Sequence, residues 1–332
     1  MLQVNIHGVG KFQLDEVALP QPGPKDVLVK VEACGICGSD LGYVAAGGLM
    51  GPAAGLMPLG HELSGCLVEV GSEVEGLKVG DRVVVDPMHH LIGNGGPEGG
   101  FAPLLLVRDA APGKTVHVIP DNVSHEIAAL VEPLAVAMHA VNQAQPKVAS
   151  KVAVLGAGPI GLGVVAALRH FGVTNIVAID LSDQRLNRAK AMGARELINS
   201  QNGFMSQLQE FHGCSQLFGM DVAGTDIFID ATGAAPVVEA IVGGAKPGAC
   251  LIIVGLHKKP VAMDLANVLM RELVIKGAIG YPIEFPQVIA MIEEAKVNLE
   301  PMISHRYSLA DFNEAFTVAS NTDLSAKVMV FP

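Results

Sequence analysis

No tryptophan occurs among the 332 residues, tyrosine occurs three times, and aromatic residues make up only 4% of the chain. Any core must therefore be aliphatic, and hydrophobic residues at 50% supply enough of it. Charge is sparse too, at 17%, and acidic in balance, with 33 Asp and Glu against 22 Lys and Arg for a formal net charge of −11. No basic block offsets that charge, so no nucleic-acid partner is expected. The uncharged apolar stretch Val152–Leu168 runs 17 residues and carries four glycines. It falls short of the roughly 20 residues a membrane span needs, so no membrane partner is expected. The opening MLQVNIHGVGKFQLDE lacks the charged-then-apolar layout of a secretory signal. Five cysteines, at 34, 37, 66, 214 and 250, are odd in number and unpatterned for disulfides. Together these absences lead us to expect a protein of the reducing cytoplasm.

What the chain does have is length for about two domains and 38 glycines among buried-strand composition,. Residues 1 to about 85 look β-rich: Val27–Ala33 alternates apolar and polar after a run of prolines, and Leu63–Val70 and Arg82–Val85 continue the pattern,. Short strands at this spacing predict a partly closed barrel-like domain. A glycine- and proline-rich loop spans Val85–Pro103, and Val116–Ile119 is a further strand. Ser124 caps a helix expected to run, interrupted by Pro133, through Ala144. From Lys151 strands and helices alternate, with strands at 152–155, 175–179, 226–230 and 250–254. That alternation predicts a doubly wound parallel sheet. Helices at 286–296 and 308–319 and a strand at 327–331 then return to the first domain.

Lys151–Asp180 is the most informative stretch. Strand residues Val152–Leu155 lead into GAGPIG, where Gly156, Gly158 and Gly161 give G-x-G-x-x-G and Pro159 and Ile160 open a helix. Asp180 follows Gly161 by 19 residues at the end of the next strand. This is the dinucleotide fingerprint in its required context. The glycines let backbone and helix N-terminus approach the pyrophosphate, and the acid accepts from the adenosine ribose hydroxyls. An acid at 180 repels a 2′-phosphate, and Leu181 and Ser182 supply no arginine to counter it, so NAD is expected over NADP. A tight turn that binds nothing is the bland alternative.

Upstream, metal-type ligands stand in turns: Cys37 in GICGSD, His61 and Glu62 in GHE, Glu132 in VEPLA. Zinc accepts thiolate, imidazole and carboxylate, and a catalytic site leaves one position open. Taken singly, Cys37 reads as a small buried hydrophobe, His61 as a structural histidine and Glu132 as a surface charge. Together with EPLAVAMHAV, GAGPIGLG and VAID, these motifs resemble the zinc-dependent medium-chain dehydrogenases. The resemblance is closest to the branch holding sorbitol, 2,3-butanediol and threonine dehydrogenases, and it runs from Val27 to the closing KVMVFP.

That resemblance implies an α/β protein, with a GroES-like β-rich catalytic domain (1–136 and 282–332) and a Rossmann coenzyme domain (137–281) inserted in it. It implies a catalytic zinc on Cys37, His61 and Glu132, with Glu62 a ligand or an exchangeable neighbour. Asp40 would orient the ligand histidine. Ser39 would pass on the substrate proton, and Tyr43 matches a substrate-pocket tyrosine or, equally, a packed aromatic. Thr232 and Gly233 in IDATG, and Val254, Gly255, Leu256 and His257 in IVGLH, match positions the family uses around the adenosine and nicotinamide of the cofactor. Two departures stand out. Many relatives place a histidine five residues after the ligand cysteine, where this chain has Gly42, so the proton must leave through water, the cofactor ribose or another side chain. Most zinc members also carry four cysteines after the strand ending near Val85. Here that region offers only His89, His90 and Glu98, so one zinc per chain and no structural zinc are expected. His139, Cys34, Cys214 and Cys250 read as packing residues.

The expected activity is NAD-dependent oxidation of a secondary alcohol in a vicinal diol, polyol or hydroxy-ketone, since a glutamate ligand marks polyol and diol members. A homo-dimer or homo-tetramer is implied by the same resemblance. The rival readings are a metal-free quinone-type reductase and a non-catalytic nucleotide-binding protein that kept the fold.

Overall fold

The computed structural model describes residues 1–332. The chain folds into two compact units: Met1–Glu132 with Phe285–Glu294 and Ile303–Pro332, and Pro133–Glu284 with Ala295–Met302. The second unit is thus an insertion in the first. Segment 295–302, expected to return with the C-terminal part, belongs instead to the second unit, where the Pro301 carbonyl accepts from Arg188 Nη1 at 2.9 Å.

The first unit begins with a hairpin that the sequence pattern does not announce, β1 (Leu2–Gly8) and β2 (Lys11–Glu16). The long strand β3 (Val27–Ile36) follows, then helix α1 (Gly38–Ala46), β4 (Met57–Pro58), β5 (Glu62–Val70), β6 (Arg82–Val85), β7 (Leu104–Val107) and β8 (Val116–Val118). β3 forms because VLVKVEACGI is β-branched and apolar, with nearly every side chain buried,. It pairs antiparallel with β5 and β7. Val4, Ile6, Val29, Leu67, Val83, Phe101 and Val328 fill the core, aliphatic for the most part as the composition requires.

The helix expected over 124–144 is two helices, α2 (His125–Ala128) and α3 (Val131–Ala144). The break falls at Ala129–Leu130, not at Pro133. Pro133 sits in the first turn of α3, where a backbone N–H would have no partner within the helix, so the helix tolerates it.

The second unit carries β9 (Val152–Leu155), α4 (Pro159–His170), β10 (Ile176–Asp180), α5 (Asp183–Ala191), β11 (Glu196–Asn199), α6 (Met205–His212), the hairpin β12 (Cys214–Leu217) and β13 (Met220–Ala223), β14 (Ile227–Asp230), α7 (Ala235–Gly244), β15 (Cys250–Ile253), α8 (Leu265–Met270) and β16 (Val274–Gly277). Six of these strands form one parallel sheet in the order β11-β10-β9-β14-β15-β16. The order reverses between β9 and β14, which is the doubly wound switch point. A Cβ at Gly161 would collide with the Gly156 carbonyl, so only glycine lets α4 pack this close to its loop,.

The chain then returns to the first unit through α9 (Glu284–Glu294), β17 (Ile303–Ser308), α10 (Phe312–Ser320) and β18 (Lys327–Phe331). β18 pairs antiparallel with β3, setting Val328 opposite Ile36. No helix is long and apolar enough to cross a membrane.

Candidate metal and cofactor sites

β3 delivers the chain to Cys37, which caps α1 from an extended backbone conformation. Asp40, three residues on, closes the cap: its Oδ2 accepts from the Cys37 backbone N–H at 2.8 Å. Its other oxygen, Oδ1, stands 3.4 Å from His61 Nδ1, and both residues are buried. A carboxylate there favours a proton on Nδ1 and turns Nε2 toward the cavity. Ser39 Oγ lies 3.3 Å from that Nε2. One helix N-terminus therefore positions the thiol, the hydroxyl and the acid that orients the imidazole.

Glu62 is completely buried at the start of β5, opposite Gly35 of β3. Its counter-charge is Lys327 on β18, whose Nζ lies 2.6 Å from Oε1 and 2.5 Å from Oε2. The Lys327 Nζ also donates to the Ile36 carbonyl at 3.1 Å. Any Cβ on Gly35 would stand 2.5 Å from Glu62 Oε2 and 2.9 Å from Lys327 Cδ, so glycine is required for the two side chains to meet. Burial alone would push the Lys327 ammonium down, but Glu62, Cys37 and Glu132 outweigh it and hold its pKa above the ordinary lysine value.

Cys37 Sγ, a His61 ring nitrogen and a Glu62 oxygen all lie within 4.8 Å of one another. Glu132, in the first turn of α3, stands outside that group yet close enough to raise Lys327. The donors suit zinc: one sulfur, one imidazole nitrogen and one carboxylate oxygen, with a second glutamate near. The electrostatics agree. Burial would lower the His61 pKa, yet Asp40 and Cys37 raise it well above the ordinary histidine value, so the pocket draws positive charge. Asp40 Oδ1 and His61 Nδ1 are buried facing each other at 3.4 Å, and Glu62 Oε2 faces the Lys327 ammonium at 2.5 Å, which leaves His61 Nε2 and the Cys37 thiol as the donors turned to the cavity.

Cys34 is fully buried, and burial together with Asp40 and Glu62 pushes its thiol well up, so it stays protonated and packs. Tyr43, half-buried on α1, donates its hydroxyl to Asn94 Oδ1 at 3.0 Å. Asn94 belongs to the loop where the family's cysteines are missing. His89 pairs loosely with Asp86 at 3.9 Å, and neither it nor His90 joins the Cys37 group. His139 is held by buried Glu284 at 2.8 Å, a satisfied structural histidine.

In the second unit Gly158 caps α4, with Pro159 and Ile160 in its first turn. Asp180 Oδ2 accepts from the Ala157 backbone N–H at 2.6 Å and Oδ1 from Ser182 at 2.9 Å, which ties the glycine loop to the end of β10. Thr232 and Gly233 follow β14, and Val254, Gly255 and Leu256 follow β15, so both sets stand at carboxyl ends of parallel strands. Sequence reasoning missed Arg185, whose Nη1 would lie 3.5 Å from a Cβ on Gly158. It stands on the first turn of α5, just past the two residues after Asp180 where a cation is ordinarily sought. Lys327 and Asn94 carry no local motif and could not have been found that way.

Comparison with known proteins agrees with this geometry. Residues 23–121 match the alcohol dehydrogenase GroES-like domain, and residues 159–294 match the zinc-binding dehydrogenase domain. Sorbitol dehydrogenase of Bos taurus is 32% identical, with 99% of this chain and 95% of the relative aligned. The crystal structure of 2R,3R-butanediol dehydrogenase from Bacillus subtilis superposes with a TM-score of 0.88 at 30% identity, over 100% of this chain and 99% of that one. A protein described as a short chain alcohol dehydrogenase of Escherichia coli CFT073, complexed with NADH, gives 0.87 at 26% identity, over 100% and 99%. The chain belongs to the zinc-binding alcohol dehydrogenases, the oxidoreductases built from a GroES-like and a nicotinamide-cofactor domain, in the branch that holds sorbitol and butanediol dehydrogenases.

Proposed function

We propose that this protein oxidises a secondary hydroxyl of a polyol or vicinal diol, with NAD as hydride acceptor and one zinc per chain. The observation that carries the reading is the convergence of Cys37, His61 and Glu62 in a buried pocket. Cys37, His61 and a glutamate would hold the ion. Glu62 is the nearer carboxylate, and Glu132 the one able to exchange with it. When bound, zinc supplies a Lewis acid that lowers the pKa of an alcohol hydroxyl, and the nicotinamide takes up the hydride.

The chain's own residues do the positioning. Asp40 keeps His61 in the tautomer that presents Nε2. Ser39 Oγ, beside that nitrogen, is placed to take the hydroxyl proton. Tyr43 donates its hydroxyl hydrogen to Asn94, which leaves the phenol oxygen, beside Ser39, as an acceptor,. A substrate with a second hydroxyl next to the reacting one could donate to it. Asp180 favours NAD because its carboxylate would face a 2′-phosphate with like charge. A cytoplasmic homo-dimer or homo-tetramer is the assembly we infer.

The test joins zinc quantitation to an NAD-linked screen of diols, polyols and amino alcohols. We expect about one zinc per chain and turnover with vicinal diols or polyols. Cys37→Ser should lose both metal and activity. A zinc-free Cys37→Ser protein that turns over normally would end the reading.

A further inference from the structure

Away from the Cys37 pocket, one carboxylate needs a separate explanation. Asp230 ends β14 fully buried, yet no lysine or arginine neutralises it. Its Oδ1 accepts from the Thr232 backbone N–H at 2.8 Å and the Thr232 hydroxyl at 2.5 Å, an ordinary turn closure. Its Oδ2 does something different. It takes His257 Nε2 at 2.8 Å, from the loop that follows β15. A carboxylate at that nitrogen keeps the imidazole proton on Nε2. Nδ1 is then a hydrogen-bond acceptor in the neutral ring, and nothing in the chain bonds to it.

The support beneath this ring is rigid. A Cβ on Gly233 would collide with the Leu256 carbonyl, and one on Gly255 would stand 2.9 Å from the Ala231 carbonyl carbon. The loops after β14 and β15 therefore touch backbone to backbone, and they present a ring that is 14% exposed.

Sheet order says what this ring meets. The glycine loop after β9 lies between β10 and β14. With the pyrophosphate at the N-terminus of α4 and the adenosine ribose at Asp180 on the β10 side, the second nucleotide must run over β14 and β15. We propose that His257, held by Asp230, accepts a hydrogen bond at Nδ1 from a hydroxyl of the nicotinamide ribose. The proposal rests on the reading that this unit binds a nicotinamide dinucleotide, and it assigns a residue to that nucleotide's second ribose.

Calorimetric titration of the full chain with NADH, ADP-ribose and ADP tests it without reference to turnover. ADP lacks the second ribose, and ADP-ribose keeps it while lacking the nicotinamide. His257→Ala should weaken NADH and ADP-ribose each by about ten-fold, the worth of one hydrogen bond, and leave ADP unchanged. Unchanged NADH affinity would overturn the proposal. So would an equal loss for ADP, which would mean that His257 merely supports the crevice. A loss for NADH alone would move the contact to the nicotinamide ring and overturn the ribose assignment. If the unsubstituted protein binds none of the three, the dinucleotide reading itself fails.

Discussion

Lys327 shows what a single side chain can do for a pocket whose other members lie far away in sequence. A fully buried glutamate is tolerable only with a partner, and removing the partner of a buried pair typically costs about 3–5 kcal/mol. Lys327→Met should therefore lower the melting temperature of metal-free protein by several degrees. Added zinc should restore proportionally more stability to the variant than to the parent, because the ion becomes the main counter-charge for Glu62. A melting curve indistinguishable from the parent's would show that Glu62 finds another partner. Asp180 permits a cleaner substitution. Asp180→Gly should raise the kcat/KM for NADP relative to NAD by at least about ten-fold, since one charge–charge contact accounts for that much. It should also weaken NAD binding, because the Ala157 N–H loses its acceptor. A ratio that does not move would place the 2′-position away from Asp180.

At the scale of elements, α6 carries a pH sensitivity that the active site does not explain. Its last residue, His212, is buried and bonded to the Thr225 hydroxyl at 2.8 Å. Burial first, and the nearby Lys151 ammonium second, lower its pKa from an ordinary 6.5 to about 4. The folded protein thus prefers the neutral ring, whereas the unfolded chain accepts a proton near 6.5. The stability this gives is fully present above about pH 6.5 and is lost as pH falls toward about 4. Thermal melts followed by circular dichroism should show the parallel-sheet unit weakening between about pH 7 and about pH 5, and His212→Gln should flatten that slope. An equal slope in the variant would assign the effect to other groups.

The same scale shows what could be read from sequence. β9, the glycine turn, α4 and β10 follow one another along one short stretch, so a local pattern describes them. GICGSD and GHE are legible for the same reason, because turn and ligand occupy adjacent positions. Pro133 misled, since a proline signals a break unless it falls in a first turn, and that depends on where the helix begins. β2 escaped because none of its residues is fully buried, and β1 because polar Gln3 and Asn5 are buried alongside Val4 and Ile6, so its burial does not follow its polarity. Asn94, Lys327 and the Asp230–His257 pair were illegible because their partners lie 51, 265 and 27 residues away.

For the whole molecule, the two units have separate cores, so they need not melt together,. The candidate metal donors belong to one unit and the glycine loop to the other. Calorimetry should show zinc removal by a chelator lowering one transition and NADH raising the other. At one hundred times its Kd, a ligand adds about 2.7 kcal/mol to the unit that binds it. One transition that responds equally to both would mean the units unfold as one.

The Glu62–Lys327 clasp also has a meaning in time. Lys327 follows Glu62 by 265 residues, and synthesis at about 5–20 residues per second separates them by roughly 13 to 53 seconds. Throughout that interval the growing chain carries Cys37, His61 and Glu62 but lacks β18, the strand that clasps the glutamate. The candidate metal pocket is therefore a late product of translation, finished only when a strand made after the entire coenzyme unit pairs with β3. A nascent chain arrested before Lys327 should hold zinc poorly, even with all four candidate ligands already synthesised.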